Sequence, residues 1–353
     1  MINIGIIGTG FGAKIHIPSF KKAKGARVLG LASGTFKKTE EVARINKIPL
    51  VFKSWQELAR CPKIDAVSIT APPPLHAPIA LEAIRNGKHV FCEKPLAMNV
   101  REAQKMLEAA KRAKIVHMID FEFREIPHFI YFREMLKKKT LGSLRYINIL
   151  WLTGGRAKPN LAVNWQNYAK AGGGALFNFG SHVADYIEWI FGPIRKVEAR
   201  LSIAKKYSAK KRVTAEDTFD ILGNLKDGTP INIAVSNVSA AGPGHQIEVW
   251  GEKGVLKLSN PNLRDAVYGF ELWQGKIGDD KMTKIALPKK FGRLKKYPDG
   301  RLPVFIKTAQ KFIRAIEMRK NARPSFEDGT RTQIVMEAVR KSSRAGKQIT
   351  LLR

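Results

Sequence analysis

INIGIIGTGFGA (residues 2–13) begins with six residues of strand character, INIGII, and runs without a break into Gly8-Thr9-Gly10-Phe11-Gly12-Ala13, where a helical pattern starts. Each small residue in that turn has a physical reason. Gly8 permits the tight reversal, Gly10 lets the backbone come close to a pyrophosphate, and Ala13 allows the new helix to pack against the strand. The helix start then offers free N–H groups and the positive end of its dipole to the phosphates. A glycine-rich turn by itself is a weak signal, and the bland reading is a turn without a ligand. A strand before it and a helix after it supply the context that a dinucleotide site needs, so Gly8, Thr9, Gly10, Phe11, Gly12 and Ala13 are expected to hold a cofactor.

Outward from this turn the same rhythm repeats to about residue 120. RVLGLA (27–32), DAVSIT (65–70), HVFC (89–92) and IVHMI (115–119) are short and apolar nearly throughout, as strands covered on both faces are. Helical stretches alternate with them, notably PIALEAIRNG (78–87), closed by Gly87, and VREAQKMLEAAKRA (100–113), introduced by Asn99 as N-cap. Alternation of this kind predicts a parallel, doubly wound α/β sheet. Beyond residue 121 a helix over about 126–138 leads to LRYINILWLT, and strands from about 194 to 287 are joined by hairpin signals at Lys226-Asp227-Gly228 and Glu252-Lys253-Gly254. These predict a largely antiparallel sheet, followed by helices over 303–318 and 329–346 and a last strand, ITLL. The expected division is a dinucleotide-binding domain over 1–121 and a substrate-binding and oligomerisation domain over 122–353, the two packing around a cleft.

A chain of 353 residues suits two domains. Hydrophobic content of 44% with 26% charged residues describes a folded, soluble chain, and no apolar run approaches the roughly 20 residues of a membrane span. The opening residues lack a basic leader and a cleavage site, so the expected location is the cytoplasm. Cys61 and Cys92 stand in different elements without metal-type spacing, which predicts neither a disulfide framework nor a metal site. The formal charge of +32 invites a nucleic-acid reading, with its richest runs at AKKYSAKKR (204–212) and KKFGRLKK (289–296). Lysines are nevertheless spread over every segment, which disfavours nucleic acid as the partner and leaves a field that favours anionic ligands.

The end of the second strand, where an NAD site carries an acidic residue, reads LASGTFKKTEE. Ser33, Thr35, Lys37 and Lys38 supply hydroxyls, ammonium groups and a helix start, a set that suits a 2′-phosphate and predicts NADP in preference to NAD. Strand HVFC leads into Glu93-Lys94-Pro95; the proline keeps Lys94 extended at the carboxyl edge of the sheet, where open α/β folds bind ligands. GGGALFNFGSH (172–182) places Asn178 and His182 four residues apart on a helix, behind glycines that suggest close approach by cofactor or substrate. Asn178, His182, Asp185 and Trp189 also form one helical stripe, the pattern of a buried seam.

Taken with APPPLH (71–76), FCEKPLAMN, DFEFREIP (120–127) and SFEDG (325–329), these stretches resemble the Gfo/Idh/MocA oxidoreductases, the family of glucose-fructose oxidoreductase and inositol dehydrogenase. The resemblance runs from end to end. It implies an N-terminal Rossmann domain, a C-terminal α/β domain with a large open, mostly antiparallel sheet, and nicotinamide-dependent oxidation or reduction of a polyhydroxylated substrate such as a sugar, cyclitol or nucleotide sugar. It further implies that Lys94, His182 and Asn178 face the reacting carbinol, that Ala71, Pro72, Pro73, His76 and Glu93 join Lys94 around the nicotinamide, and that the protein is a homo-dimer or homo-tetramer built through the open sheet face. Departures stand at Asn178, commonly Asp in the family, at Glu122, more usually Asn, and at Gln166, often Arg. A catalytically silent nucleotide sensor is the alternative that Asn178 and the high charge suggest.

Overall fold

Ile4 and Ile6 of the first strand are wholly buried and Ile7 is nearly so, because that strand lies inside a sheet covered on both faces. In the computed structural model, which describes residues 1–351, it is β1 (Ile2–Ile7), joined by β2 (Ala26–Ala32), β3 (Leu50–Phe52), β4 (Ala66–Ile69), β5 (His89–Cys92) and β6 (His117–Ile119). The strands are all parallel in the order β3-β2-β1-β4-β5-β6. The order reverses between β1 and β4, and the carboxyl ends there form the switch point at which such sheets bind ligands. The linking helices are α1 (Ile17–Lys22), α2 (Phe36–Ile45), α3 (Trp55–Arg60), α4 (His76–Arg85) and α5 (Val100–Arg112). Asn99 caps α5 as expected, its side-chain oxygen accepting from the Glu102 amide at 2.9 Å.

Apolar residues sort onto the two faces. Val67, Ile69, Val90 and Cys92 meet Ile79, Ala83 and Met106 on one side, whereas Ile4, Ile6, Leu31 and Phe91 meet Phe20, Phe312 and Ile316 on the other. The last two belong to a segment from late in the chain, so the first compact unit comprises Met1–Glu122 and Tyr297–Gln333. A cut of the chain at residue 121 assigns that segment to the second domain; its apolar face instead completes the buried layer over β1.

The second unit comprises Phe123–Lys296 and the residues from Ile334 onward. It carries α6 (Pro127–Lys137), α7 (Ser181–Phe191) and strands β7 (Leu144–Leu152), β8 (Ile194–Ser202), β9 (Tyr207–Ser208), β10 (Lys211–Arg212), β11 (Thr218–Leu225), β12 (Pro230–Ser236), β13 (Gly244–Gly251), β14 (Gly254–Asn260), β15 (Glu271–Lys276), β16 (Thr283–Ile285) and β17 (Ile349–Thr350). Except for the β9–β10 hairpin, these form one nine-stranded sheet, β16-β15-β14-β13-β7-β12-β11-β8-β17. Among the described residues its only parallel pair is β7 with β12, which agrees with the mostly antiparallel sheet expected. Leu352 of the expected last strand lies outside the described residues. Two helices close the chain, α8 (Leu302–Glu317), which bears Phe312 and Ile316, and α9 (Phe326–Ala345). Along β7, Ile147, Ile149 and Trp151 are buried, while Tyr146 and Asn148 between them point to the opposite face.

Candidate active site

The glycine turn after β1 separates into residues explained by the chain and one that is not. Gly8 has φ +123°, and a Cβ there would lie 2.3 Å from the Thr70 hydroxyl; on Gly12 it would lie 2.6 Å from the same group. Gly10 is exposed, and a Cβ on it would meet nothing within 4 Å. The chain itself therefore does not require glycine at position 10, whereas a phosphate group laid against the backbone does. The helix that follows, a π-helical turn over Gly12–His16 continuing into α1, has no side-chain cap and no acidic residue in its first turn, leaving its first N–H groups for an anion. These residues fit a dinucleotide. Phe11 packs edge-on against Phe305 at 5.3 Å, with the Arg301 guanidinium 4.9 Å over its ring.

At the end of β2, the Ser33 hydroxyl bonds Thr39 Oγ1 at 2.6 Å, and Thr35 precedes α2 without capping it through its side chain. Gly34, Thr35, Lys37 and Lys38 are exposed, and the first turn of α2 has no acidic residue. After β4, Ala71 is half-buried, Pro72 exposed and Pro73 buried. His76 is the first residue of α4, and its buried ring bridges the Pro95 and Ala71 carbonyls at 2.8 Å each. The imidazole thereby ties the loop after β4 to the loop that carries Lys94; its position is that of a structural clamp at a helix start.

Lys94 is half-buried beside Glu93, whose Oε2 accepts from the Lys94 amide at 3.1 Å. Glu93 Oε1 lies 2.9 Å from His16 Nε2, and His16 Nδ1 lies 2.7 Å from the Ser68 hydroxyl. A carboxylate only accepts, so His16 Nε2 donates to Glu93. Burial alone would raise the Glu93 carboxyl, but the His16 bond and the charges of His16, Lys94 and His76 more than offset it and hold it below the usual carboxylate range. His16 and Thr70 escape a motif reading because they are recognised only through partners distant in sequence; their one local signal is position, His16 four residues after Gly12 and Thr70 at the end of β4.

In the second unit, Asn178 lies half-buried in a π-helical turn, Leu176–Gly180, that runs directly into α7. Single π turns are frequent at functional sites. His182 is 6% exposed, with the Phe123 ring edge-on at 4.9 Å and Trp151 at 6.4 Å. The glycines before it have a different explanation from the one expected. A Cβ on Gly173 would lie 2.4 Å from the Gln166 carbonyl oxygen, and Gly174, at φ +115°, lies against the Glu216 carboxylate. Glu216 also accepts from the Leu176 amide at 3.2 Å, so the close approach is by the protein's own chain. Asp185 accepts a two-point bond from Arg124, at 3.0 and 2.6 Å, with both side chains buried, and the Arg133 guanidinium stands 4.6 Å over the Trp189 ring. Asp185 thus belongs to a buried seam and Trp189, half-buried, to its edge. Gln166 accepts from Arg156, which also donates to Asn167 at 2.8 Å, so a guanidinium is present beside that position.

A parallel sheet in this order, with a ligand-ready glycine turn at its switch point and a lysine at the adjoining strand edge, defines a nicotinamide-nucleotide-dependent oxidoreductase. The chain belongs to the Gfo/Idh/MocA oxidoreductases: residues 2–121 match that family's NAD-binding Rossmann fold and residues 133–351 its C-terminal alpha/beta domain. It is 34% identical to an uncharacterized oxidoreductase of Synechocystis, over 97% of this chain and 94% of that one. It is 26% identical to levoglucosan dehydrogenase of Pseudarthrobacter phenanthrenivorans, over 97% and 96%. A solved structure of levoglucosan dehydrogenase with NADH and levoglucosan superimposes with a TM-score of 0.89 over 100% of both chains at 24% identity, showing the shared fold.

Proposed function

We propose that this protein transfers a hydride between a nicotinamide nucleotide, NADP in preference to NAD, and a carbinol or carbonyl carbon of a sugar, cyclitol or nucleotide sugar. The observation that carries this reading is the mounting of Lys94: its amide donates to Glu93, and the proline after it is clamped by His76. Relatives bear the names levoglucosan dehydrogenase, myo-inositol 2-dehydrogenase and glucose-6-phosphate 3-dehydrogenase, and none of these names supports a silent sensor.

When bound, the nicotinamide supplies the hydride acceptor or donor. The Gly8–Ala13 turn would hold the pyrophosphate, and Ser33, Thr35, Lys37 and Lys38 the adenosine ribose with its 2′-phosphate. The absence of an acidic residue in the first turn of α2 supports NADP. Lys94 exchanges the hydroxyl proton, His182 positions or protonates the substrate oxygen, and the Asn178 amide hydrogen-bonds a neighbouring hydroxyl. The reading extends to a cytoplasmic enzyme, whose two cysteines are free, and to a homo-oligomer associated through the open sheet face. No helix of the described residues is long and apolar enough to cross a membrane.

The test is titration with NADPH and NADH followed by a screen of sugars, cyclitols and nucleotide sugars for change in nicotinamide absorbance. NADPH is expected to bind the more tightly. Lys94→Ala is expected to lower kcat by about 10²- to 10⁴-fold, the usual worth of general acid–base help, with cofactor affinity little changed. Turnover indifferent to Lys94→Ala would remove the mechanism.

A further inference from the structure

Asp299 and Arg301 stand just before α8, in the late segment of the chain that belongs to the first unit. Arg301 donates from its Nε to Asp299 Oδ1 at 2.9 Å and from its Nη2 to Oδ2 at 2.6 Å. This two-point bond occupies one edge of the planar guanidinium and fixes the direction of the other. Among the described residues Nη1 has no acceptor, so the outer edge, Nη1 with the remaining N–H of Nη2, is open. The side chain keeps 41% of its surface exposed.

Phe11 determines what that edge stands beside. The guanidinium lies 4.9 Å over the Phe11 ring, and the ring is held edge-on by Phe305 at 5.3 Å and by His16 at 5.6 Å. Phe305 follows Arg301 by one helical turn, its amide donating to the Arg301 carbonyl at 3.2 Å, so both side chains reach Phe11 from one face. Phe11 is the residue between Gly10 and Gly12 and the N-cap of the π-helical turn Gly12–His16, which has no side-chain cap. A full positive charge is thus stacked on the middle residue of the glycine turn, next to Gly10, where the chain leaves room for a phosphate. Closing the turn before α8 requires only Asp299, whose carbonyl accepts from the Leu302 amide and whose carboxylate accepts from the Arg301 amide, each at 3.1 Å. The stacking on Phe11 is additional to that turn.

Resting on the dinucleotide reading above, we propose that Arg301 is a cofactor-binding residue whose open edge donates to the diphosphate held at the Gly8–Ala13 turn. The outer edge of a guanidinium offers two parallel N–H groups, the geometry that two phosphate oxygens accept. The helix start at Gly12 supplies only a partial positive charge; Arg301 adds a whole one. Asp299 and the Phe11 ring hold the guanidinium in place before a phosphate arrives, so binding orders little that is not already ordered. Phe11 and Arg301 come from opposite ends of the chain, and the glycine turn gives no local sign of this partner.

The test is binding without substrate, by calorimetry and by competition against NADPH fluorescence. Three probes separate the parts of the cofactor: NADPH itself, 2′-phospho-ADP-ribose, which keeps the diphosphate without the nicotinamide, and 2′-AMP, which has neither. Arg301→Gln is expected to weaken NADPH and 2′-phospho-ADP-ribose alike, by about 10- to 100-fold, and 2′-AMP by less than about twofold. Arg301→Lys keeps the charge without the fork and is expected to retain part of the affinity. The melting temperature of Arg301→Gln without ligand is expected to stay within about 3 °C of wild type, because the side chain is half-exposed. NADPH affinity that stays within about twofold of wild type in Arg301→Gln overturns the proposal. Equal losses for all three probes overturn it as well, and so does a loss confined to NADPH, which would set Arg301 against the nicotinamide. If wild type binds NADH the more tightly, NADH, ADP-ribose and adenosine take the places of the three probes. Failure of the underlying reading looks different: wild type would bind neither dinucleotide.

Discussion

Gly10 lacks a side chain where the protein leaves room for one, and Gly8 lacks one where there is no room. Substituting alanine at each separates ligand from fold. Gly10→Ala is expected to change stability by less than about 0.5 kcal/mol while weakening NADPH binding at least about tenfold; Gly8→Ala is expected to cost on the order of 1–3 kcal/mol, because its φ of +123° is strained for any L side chain. Chemical denaturation and cofactor fluorescence of the two variants check both. The residue scale also sets an acid limit. His245 is stacked on Trp151 at 4.2 Å and its Nε2 shares a hydrogen bond with the Tyr186 hydroxyl at 3.0 Å; burial lowers it to about 3 from 6.5. Below pH 6.5 the unfolded chain therefore takes up a proton that the folded chain refuses, and stability present above that pH is lost as pH falls towards 3. At pH 4.5 the expected loss from this group is about 2–3 kcal/mol. His245→Phe is expected to flatten the fall between pH 7 and 4.5, at a cost of about 1–3 kcal/mol at neutral pH for the unpaired Tyr186 hydroxyl; an unchanged slope in urea midpoints would refute the assignment.

Among the elements, α7 shows what a local pattern can and cannot carry. Its stripe of Asn178, His182, Asp185 and Trp189 was legible in the sequence, because helical periodicity is local. Which members pack and which face a ligand was not, because Arg124 and Arg133 reach Asp185 and Trp189 from elsewhere in the chain. Gly173 and Gly174 misled for the same reason: their neighbours, Gln166 and Glu216, are brought to them by folding. Five of the parallel strands read correctly from their apolar runs and the three-residue β3 (Leu50–Phe52) did not, being too short to show a pattern, whereas α8 declared an apolar face without declaring which sheet it covers. The buried Arg124–Asp185 pair is the testable member. Asp185→Ala leaves a buried guanidinium uncompensated and is expected to destabilise by about 3–5 kcal/mol, while Glu188→Ala, on the same helix and less buried, is expected to cost far less. Equal melting temperatures for the two variants would show that the pair contributes little.

For the whole molecule, the charge of +32 and the open sheet of the second unit make opposite demands. One face of that sheet is buried; on the other, Tyr146 is 39% and Leu222 60% exposed, and Tyr146 meets Trp250 at 5.8 Å. Between these lie polar pairs, Lys257 with Glu248 at 3.0 Å and Asn232 with Asn148 at 3.0 Å. Covering the face with a second copy removes apolar area from water, but brings two strongly cationic chains together. Salt resolves the conflict, because at about 0.1 M the screening length is only about 10 Å, and repulsion between dispersed surface charges fades while apolar burial does not. Self-association through this face is therefore expected to strengthen as salt rises from about 0.05 to 0.5 M, and Leu222→Lys with Trp250→Lys to weaken it. Binding of nucleic acid to the basic runs at 204–212 and 289–296 predicts the reverse, since release of counterions makes such binding fall steeply over the same range. Light scattering across a salt series, with and without a short duplex, separates the two: a mass that grows with salt and ignores the substitutions would place the interface elsewhere, and a mass that falls with salt would mean that charge complementarity holds the assembly together.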